Sequence, residues 1–283
     1  MDPTPPRVLT VAGTDSGGAA GAAADLRTLA ACGVHGCVAV TAVTVQDSLR
    51  VSGVHPIPPE TVAAQIEVVA RDIGIGAVKT GMLATSATIE AIAGACDRVG
   101  IGTHGATPLV VDPVAASMRG DPLLAPEALD AFRTLLFPRA TLITPNLDEV
   151  RLLVGIAVHD RAGQHEAARR LHALGPRWVL VKGGHLAGDI DVCVDVLFDG
   201  DTATELAAPR FATPHTHGAG DTMGSAIAAG LARGLAVPEA AALGKRFVTE
   251  AVRHGYPLGA GHGPVSPLWT TGSWWERAGS PAG

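Results

Sequence analysis

The chain has 283 residues, enough for one large α/β domain or two ordinary ones. Its 47% hydrophobic content supplies a core, while 35 glycines and 20 prolines require many tight turns. A net charge of −6 with no block of basic residues argues against nucleic acid and anionic membrane as partners. No apolar run approaches the roughly 20 residues that span a bilayer, residues 1–6 lack the features of a signal peptide, and Cys32, Cys37, Cys96 and Cys193 form no C-x-x-C pair, so a cytoplasmic protein without a disulfide or zinc framework is expected.

Residues 7–11 read as a short apolar strand running into Gly13-Thr14-Asp15-Ser16-Gly17-Gly18-Ala19-Ala20-Gly21, and a helix over 22–32 follows with Leu26 and Leu29 on one face. Strand, glycine loop and helix open a nucleotide-type α/β fold. The loop misses G-x-G-x-x-G by Ser16 in the first glycine's place, and close packing of strand on helix is its competing use. The apolar, β-branched run 37–45 predicts one strand buried on both faces of a parallel sheet, ending at Gln46-Asp47-Ser48; 51–55 is expected as a short edge strand. A helix opens at Pro59-Glu60 and spaces Val62, Ile66, Val69 and Ile73 along one face. Strand 77–80 ends Lys79-Thr80-Gly81-Met82, Ser86 caps a helix through 99, and the buried strand 109–111 ends Asp112-Pro113-Val114.

After a helix over 126–136, strand 141–144 ends Pro145-Asn146-Leu147-Asp148-Glu149. Asn146 with Glu149 has the form of a capping box, an ordinary structural use for both residues. Asp112 reads differently, because a charged residue closing an apolar strand lines the crevice at the carboxyl edge of the sheet. A helix over 161–174 leads into strand 178–181, which ends Lys182-Gly183-Gly184-His185: a flexible point charge beside open backbone suits phosphate oxygens. Segments 191–198 and 204–208 form a hairpin across Asp199-Gly200-Asp201. A helix over 238–254 precedes a tail from Trp269, with Trp274 and Trp275, expected to be mobile or to lie on a partner subunit. Lysine occurs three times among the 21 basic residues and asparagine once, which singles out Lys79, Lys182 and Asn146 at their strand ends. Strands alternating with helices, without linker or repeat, predict a three-layer α/β/α sandwich with a mostly parallel central sheet, one domain over 1–283.

The stretch Thr216-His217-Gly218-Ala219-Gly220-Asp221-Thr222 carries the sharpest chemistry. Gly218 and Gly220 let successive N–H groups converge, and the small-residue helix expected over 223–233 adds the positive end of its dipole. Asp221 sets a carboxylate beside that anion site. Its bland use is an N-cap; its chemical use is as the base for phosphoryl transfer to a hydroxyl. There is no G-x-x-x-x-G-K-[ST] P-loop.

These segments together resemble the ribokinase-like superfamily, and within it the hydroxymethylpyrimidine/phosphomethylpyrimidine kinases of thiamine biosynthesis. The resemblance runs from Arg7 to about Trp269. It is carried by Val11-Ala12-Gly13-Thr14-Asp15, Ala24-Asp25-Leu26-Arg27-Thr28, Thr41-Ala42 with Gln46, Lys79-Thr80-Gly81-Met82-Leu83, Val111-Asp112-Pro113-Val114, Gly120-Asp121-Pro122-Leu123-Leu124, Leu142-Ile143-Thr144-Pro145-Asn146 with Glu149, Val181-Lys182-Gly183-Gly184-His185, Thr216-His217-Gly218 and Gly261-His262-Gly263-Pro264-Val265. The resemblance implies ATP and Mg²⁺, with transfer of the γ-phosphoryl to an aminopyrimidine hydroxymethyl group and then to its monophosphate. It implies that Gly13, Asp15, Val43, Gln46 and Met82 line the acceptor pocket and that Asp112 and Glu149 hold Mg²⁺. Lys182, Thr216, Asn146 and Gly184 would meet the nucleotide, and Gly218, Ala219 and Gly220 would form the anion hole beside the base Asp221. A homodimer is usual in the family.

The chain departs from that family in two places. Gly218-Ala219-Gly220-Asp221 stands where Gly-Thr-Gly-Cys is usual, which puts Asp at the catalytic position, as in sugar and pyridoxal kinases. Ser16-Gly17 and Ala22-Ala23 replace Pro-Ser and Ile-Gln in the first loop. Pyridoxal, pyridoxine or a related substituted pyrimidine is therefore the alternative acceptor. A Rossmann-type oxidoreductase and a non-catalytic pyrimidine- or B6-binding protein are the rival classes. The first lacks a clear ribose-binding acid after its second strand, and the second leaves Asp112, Glu149, Lys182 and Asp221 without a use.

Overall fold

The computed structural model describes residues 4–115, 124, 127–184, 186 and 191–270. An eight-stranded sheet is its centre, built from β1 (Arg7–Ala12), β2 (His35–Val40), β5 (Ala77–Thr80), β6 (Leu109–Val111), β7 (Leu142–Ile143), β8 (Val179–Val181), β9 (Val192–Phe198) and β10 (Ala203–Pro209), in the order β10-β9-β8-β7-β6-β5-β1-β2. From β2 through β8 every pairing is parallel, and only β9 runs antiparallel to its two neighbours. The strands are short and apolar because both faces are covered. Leu9, Val78, Val111, Ile143 and Val181 pack on one face; Val8, Ala77, Val110, Leu142 and Leu180 pack on the other.

The first face carries α2 (Pro59–Asp72), α3 (Ser86–Val99), the short α4 (Ala128–Ala131), α5 (Leu147–Val154) and α6 (Arg161–His172). The second carries α1 (Gly21–Ala31), α7 (Ala219–Ala232) and α8 (Val237–Arg253). Helix α7 is almost wholly buried against the sheet, which explains its run of Ala, Gly and Ser: small side chains let its backbone approach the strands. The expected three-layer, mostly parallel α/β/α architecture is the one observed.

Several local expectations are corrected. The run 37–45 is two strands: β2 ends at Val40, and β3 (Ala42–Gln46) leaves the main sheet to pair antiparallel with β4 (Val51–Pro56) in a separate two-stranded flap. Thr41 makes the break, its amide bonded to the Ala12 carbonyl and its hydroxyl to the Met82 carbonyl at 2.6 Å. Beyond it Val43 and Val45 face solvent while Ala42 and Thr44 face inward, a two-residue alternation that a doubly buried strand would not show. Segment 51–55 is accordingly half of the flap and not an edge of the main sheet. Thr85, not Ser86, caps α3, accepting the Thr88 amide. The helix expected over 126–136 is α4 followed by wider π and then 3-10 turns, Phe132–Leu136 and Phe137–Arg139. Helix α7 begins at Ala219, four residues earlier than expected. Residues 120–123, His185, Trp274 and Trp275 lie outside the described residues.

One buried amide fixes the sheet where it faces the crevice. Gln164 of α6 is fully buried and its Nε2 donates to the carbonyls of Val181 (2.9 Å) and Val194 (3.1 Å), where β8 and β9 part just before Lys182. Replacing it with Leu strands both carbonyls away from water. Gln164→Leu is expected to cost about 2 kcal/mol or more, read as a lower denaturation midpoint in urea; an unchanged midpoint would show that the two carbonyls find other donors.

Candidate active site

Gly218 is the N-cap of α7 and sits in the left-handed region, φ 79°, where any Cβ would also run into the Ala19 carbonyl oxygen. The anion loop is thereby pressed against the glycine loop that follows β1. Because α7 starts at Ala219, Asp221 lies in its first turn, among amide hydrogens that have no intrahelical acceptor. One carboxylate oxygen accepts the Gly21 amide at 3.1 Å and the other accepts Lys79 Nζ at 2.8 Å.

Lys79 is fully buried, and its register explains why. It pairs with Thr10 across β5 and β1 and so points into the layer occupied by α7, where Gly224 leaves room: a Cβ there would lie 3.3 Å from Lys79 Cε. Behind Lys79 stands Asp25 of α1, also fully buried, which takes the ammonium at 2.8 and 3.1 Å, the Thr10 hydroxyl at 2.5 Å and the Ser225 hydroxyl at 2.7 Å. Burial works against the Lys79 charge, but Asp221, Asp25 and Asp112 outweigh it and keep the amine protonated. Burial likewise pushes Asp221 up, and the charge and hydrogen bond of Lys79 overcome it and hold the carboxyl below its ordinary range. Asp25 goes the other way, pushed by burial up to about 6 despite Lys79, with the Asp221 charge adding to the rise.

A second cluster closes the crevice at the ends of β6, β7 and β8. Asp112 Oδ1 accepts the Thr144 hydroxyl at 2.9 Å and Lys182 Nζ at 2.8 Å. Its other oxygen faces α7, 3.5 Å from where a Cβ on Gly220 would stand, and the same Cβ would lie 3.3 Å from Lys182 Nζ. The absence of a side chain at 220 thus lets the first turn of α7 meet both charges. Glu149 is buried beside them; burial pushes it up to about 8, with Asp112 adding and Lys182 opposing. Two buried, mutually repelling carboxylates fit a divalent cation, and the oxygen-only set suits Mg²⁺, which takes one or two carboxylates plus phosphate oxygens and water. Among the described residues no group of three or more His, Cys, Asp and Glu could hold a metal, so phosphate would have to complete the shell.

On the opposite wall, Asp15 is turned into its own loop: Oδ1 accepts the Gly17 amide at 2.8 Å, and Oδ2 accepts those of Ala19 and Ala20, both at 2.9 Å. His217 Nε2 lies 3.4 Å from Asp15 Oδ2 and 3.3 Å from the Gln46 amide nitrogen, joining anion loop, glycine loop and flap. Burial pushes Asp15 up, but His217 and the loop amides hold it below its usual value. Gly13 carries no side chain where Met82 Cε crosses over it.

Comparison with known proteins then fixes the class. Residues 15–266 match the family model described as phosphomethylpyrimidine kinase. The chain belongs to the phosphomethylpyrimidine kinase family. It is 58% identical over 265 residues to the hydroxymethylpyrimidine/phosphomethylpyrimidine kinase of Mycobacterium tuberculosis, covering 94% of each chain. It is 46% identical over 262 residues to a bifunctional thiamine biosynthesis protein of Geobacter sulfurreducens, over 92% of this chain and 52% of that one. Among solved structures, an ADP complex of Bacillus subtilis pyridoxal kinase superposes with a TM-score of 0.85 at 37% identity, over 94% of this chain and 98% of that one. As a phosphomethylpyrimidine kinase family member, the chain is a phosphotransferase of thiamine biosynthesis.

Within this kinase the crevice gathers Gly218, Ala219, Gly220, Asp221, Lys182, Asp112 and Glu149 at one edge of the sheet, and Gly13, Met82 and Gln46 along the neighbouring wall. Thr216 sits at the turn into the anion loop, its carbonyl accepting the Ala219 amide at 3.1 Å. Asn146 and Glu149 form a complete capping box on α5, so the Asn146 side-chain oxygen is committed to the helix and a nucleotide contact would fall to its amide nitrogen. Gly184 is exposed with its carbonyl held by Arg210. Val43, expected to line the acceptor pocket, is 45% exposed on the flap. The Asp15 carboxylate is hydrogen-bonded within its own loop, to the Gly17, Ala19 and Ala20 amides.

Sequence reasoning missed Lys79 and Asp25 as members of the site. The rarity of lysine flagged Lys79, but its partners lie 54 and 142 residues away and no local pattern joins them. If Asp15 organises the loop, Asp15→Ala should speed hydrogen exchange at the amides of Gly17, Ala19 and Ala20 by at least about tenfold, the loss of roughly 1.4 kcal/mol of protection. Unchanged protection there would mean the loop is held by other contacts.

Proposed function

We propose that this kinase transfers the γ-phosphoryl group of ATP to the hydroxymethyl group of 4-amino-5-hydroxymethyl-2-methylpyrimidine and to the resulting monophosphate, and that the chain works as one domain. The observation that carries the reading is the Asp221 carboxylate, held ionised by Lys79 in the first turn of α7. An ionised carboxylate beside helix-start amides that have no intrahelical acceptor takes a proton from an attacking alcohol while those amides receive charge from the migrating group. Amides of residues 218–221 form the anion hole, and Lys182 neutralises phosphate oxygens. Asp112 and Glu149 would hold Mg²⁺, which when bound offsets the negative charge of the triphosphate. Gly13, Met82 and Gln46 supply the acceptor wall, with the flap as its cover.

Pyridoxal is the second reading of the acceptor. It is favoured by the likeness to the Bacillus subtilis pyridoxal kinase and by Asp at the catalytic position. The finer assignments extend to a cytoplasmic homodimer: no helix among the described residues is long and apolar enough to cross a membrane, and the solvent-facing Val43 and Val45 give the flap apolar surface for a second copy. Neither nucleic acid nor membrane is a partner in this reading.

A coupled kinase assay with the hydroxymethylpyrimidine, its monophosphate and pyridoxal tests the acceptor; the pyrimidine is expected to have the highest kcat/KM, and preference for pyridoxal would reverse the assignment. Asp221→Asn should leave nucleotide binding intact and lower kcat by roughly 10²–10⁴-fold; near-normal turnover would remove Asp221 as base. Lys182→Ala should raise KM for ATP more than it lowers kcat, and an unchanged KM would place Lys182 outside the nucleotide site.

A further inference from the structure

Lys79 has two carboxylates but only one of them reaches the crevice. The Asp221 side chain is 14% exposed, whereas Asp25 and Lys79 are both 0% exposed. Every other donor around Asp25 is fixed from a different element: Thr10 from β1, Lys79 from β5, Ser225 from α7. Asp25 therefore cannot turn, and Lys79, gripped through both Asp25 oxygens, cannot swing away from Asp221. If the cluster served stability alone, an apolar set of the same volume would do as well or better, since a buried ion pair gains little over well-packed hydrophobic side chains. Here the chain also gives up a side chain at Gly224 to admit the lysine. The geometry points to Asp25 and Lys79 as positioning residues for phosphoryl transfer: Asp25 seats Lys79, and Lys79 sets the orientation and charge of the Asp221 carboxylate.

The inference rests on Asp221 being the base. The charged groups that face Asp221 are Lys79 from β5, Asp25 from α1 behind it, and, across the crevice, Lys182 after β8 and Asp112 after β6; the Gly21 amide completes the set. Removing Lys79 leaves Asp221 buried without its counter-charge, which raises the pH at which it loses its charge, and it leaves Asp25 buried and protonated. Asp25 then has no lysine to act through, so its removal adds nothing, which two independent scaffold roles would not show.

The test is the pH profile of kcat/KM for the acceptor, with melting temperature and nucleotide affinity as controls for folding. Lys79→Met should acquire an acid limb shifted upward from wild type by about 1–3 pH units, and adding Asp25→Asn to it should leave that limb in place, because Asp25 acts through Lys79. Asp25→Asn alone should lower kcat about tenfold with the acceptor KM unchanged, because Lys79 then pulls wholly on Asp221 and weakens it as a base. A profile in the folded lysine variant that matches wild type, or a limb that moves when Asp25→Asn is added to it, overturns the inference. Should Lys79→Met fail to fold, the double variant and the kcat-against-KM split of Asp25→Asn decide on the same terms. Asp221→Asn separates the two levels: if it retains full turnover the base assignment falls, whereas a slow Asp221→Asn beside unresponsive Asp25 and Lys79 variants overturns only the positioning.

Discussion

A lysine ammonium buried among two carboxylates is the constraint on which this site is built. Taking such a charge out of water costs several kcal/mol unless opposing charge and well-aligned hydrogen bonds surround it. Lys79 meets that condition through Asp25 and Asp221 together, and meeting it places demands on four elements at once. β1 must bring Thr10 into register with β5, α1 must turn Asp25 inward, and α7 must present Gly224, Ser225 and Asp221 on one face. The small-residue composition of α7 follows from the same demand, since a bulkier helix would stand too far from the sheet for its first turn to reach Lys79.

The second cluster obeys a related rule with a different outcome. Asp112 and Glu149 share one cation, Lys182, and their mutual repulsion is left only partly answered. A site that still repels itself after its own residues have folded is prepared for additional positive charge. The two clusters meet at Gly220, whose missing side chain lets the start of α7 touch both. The proposed anion hole, proton acceptor and phosphate-facing charges are thus set by one helix terminus and three strand ends, all carried on buried structure.

What could be read from the chain divides along the range of the interactions. The short apolar strands, the glycine loops, the capping box at Asn146 and Glu149 and the anion turn at Gly218 are local patterns, and each was legible. So was the placement of Asp112, Lys182 and Asp221 at the carboxyl edge, because strand ends in such sheets converge by topology. The partners of Lys79 were not legible, since nothing local distinguishes Asp25 from any other acidic residue on a helix. The division of 37–45 into two strands depends on Thr41, whose partners Ala12 and Met82 are distant in sequence. The early start of α7 was hidden by glycines that normally interrupt helices but here begin one.

The two-stranded flap is hydrogen-bonded to itself and not to the main sheet, and it leaves the sheet at a single residue, Thr41. The charged groups of the crevice are locked in the interior, whereas the flap rests on the glycine loop, Thr44 bonded to Thr14 and Ser16, with Thr41 itself buried. Substitutions on the exposed face of the flap, at Val43 or Val45, therefore leave the buried charges undisturbed. A scaffold divided in this way separates a part that can vary from a part that cannot.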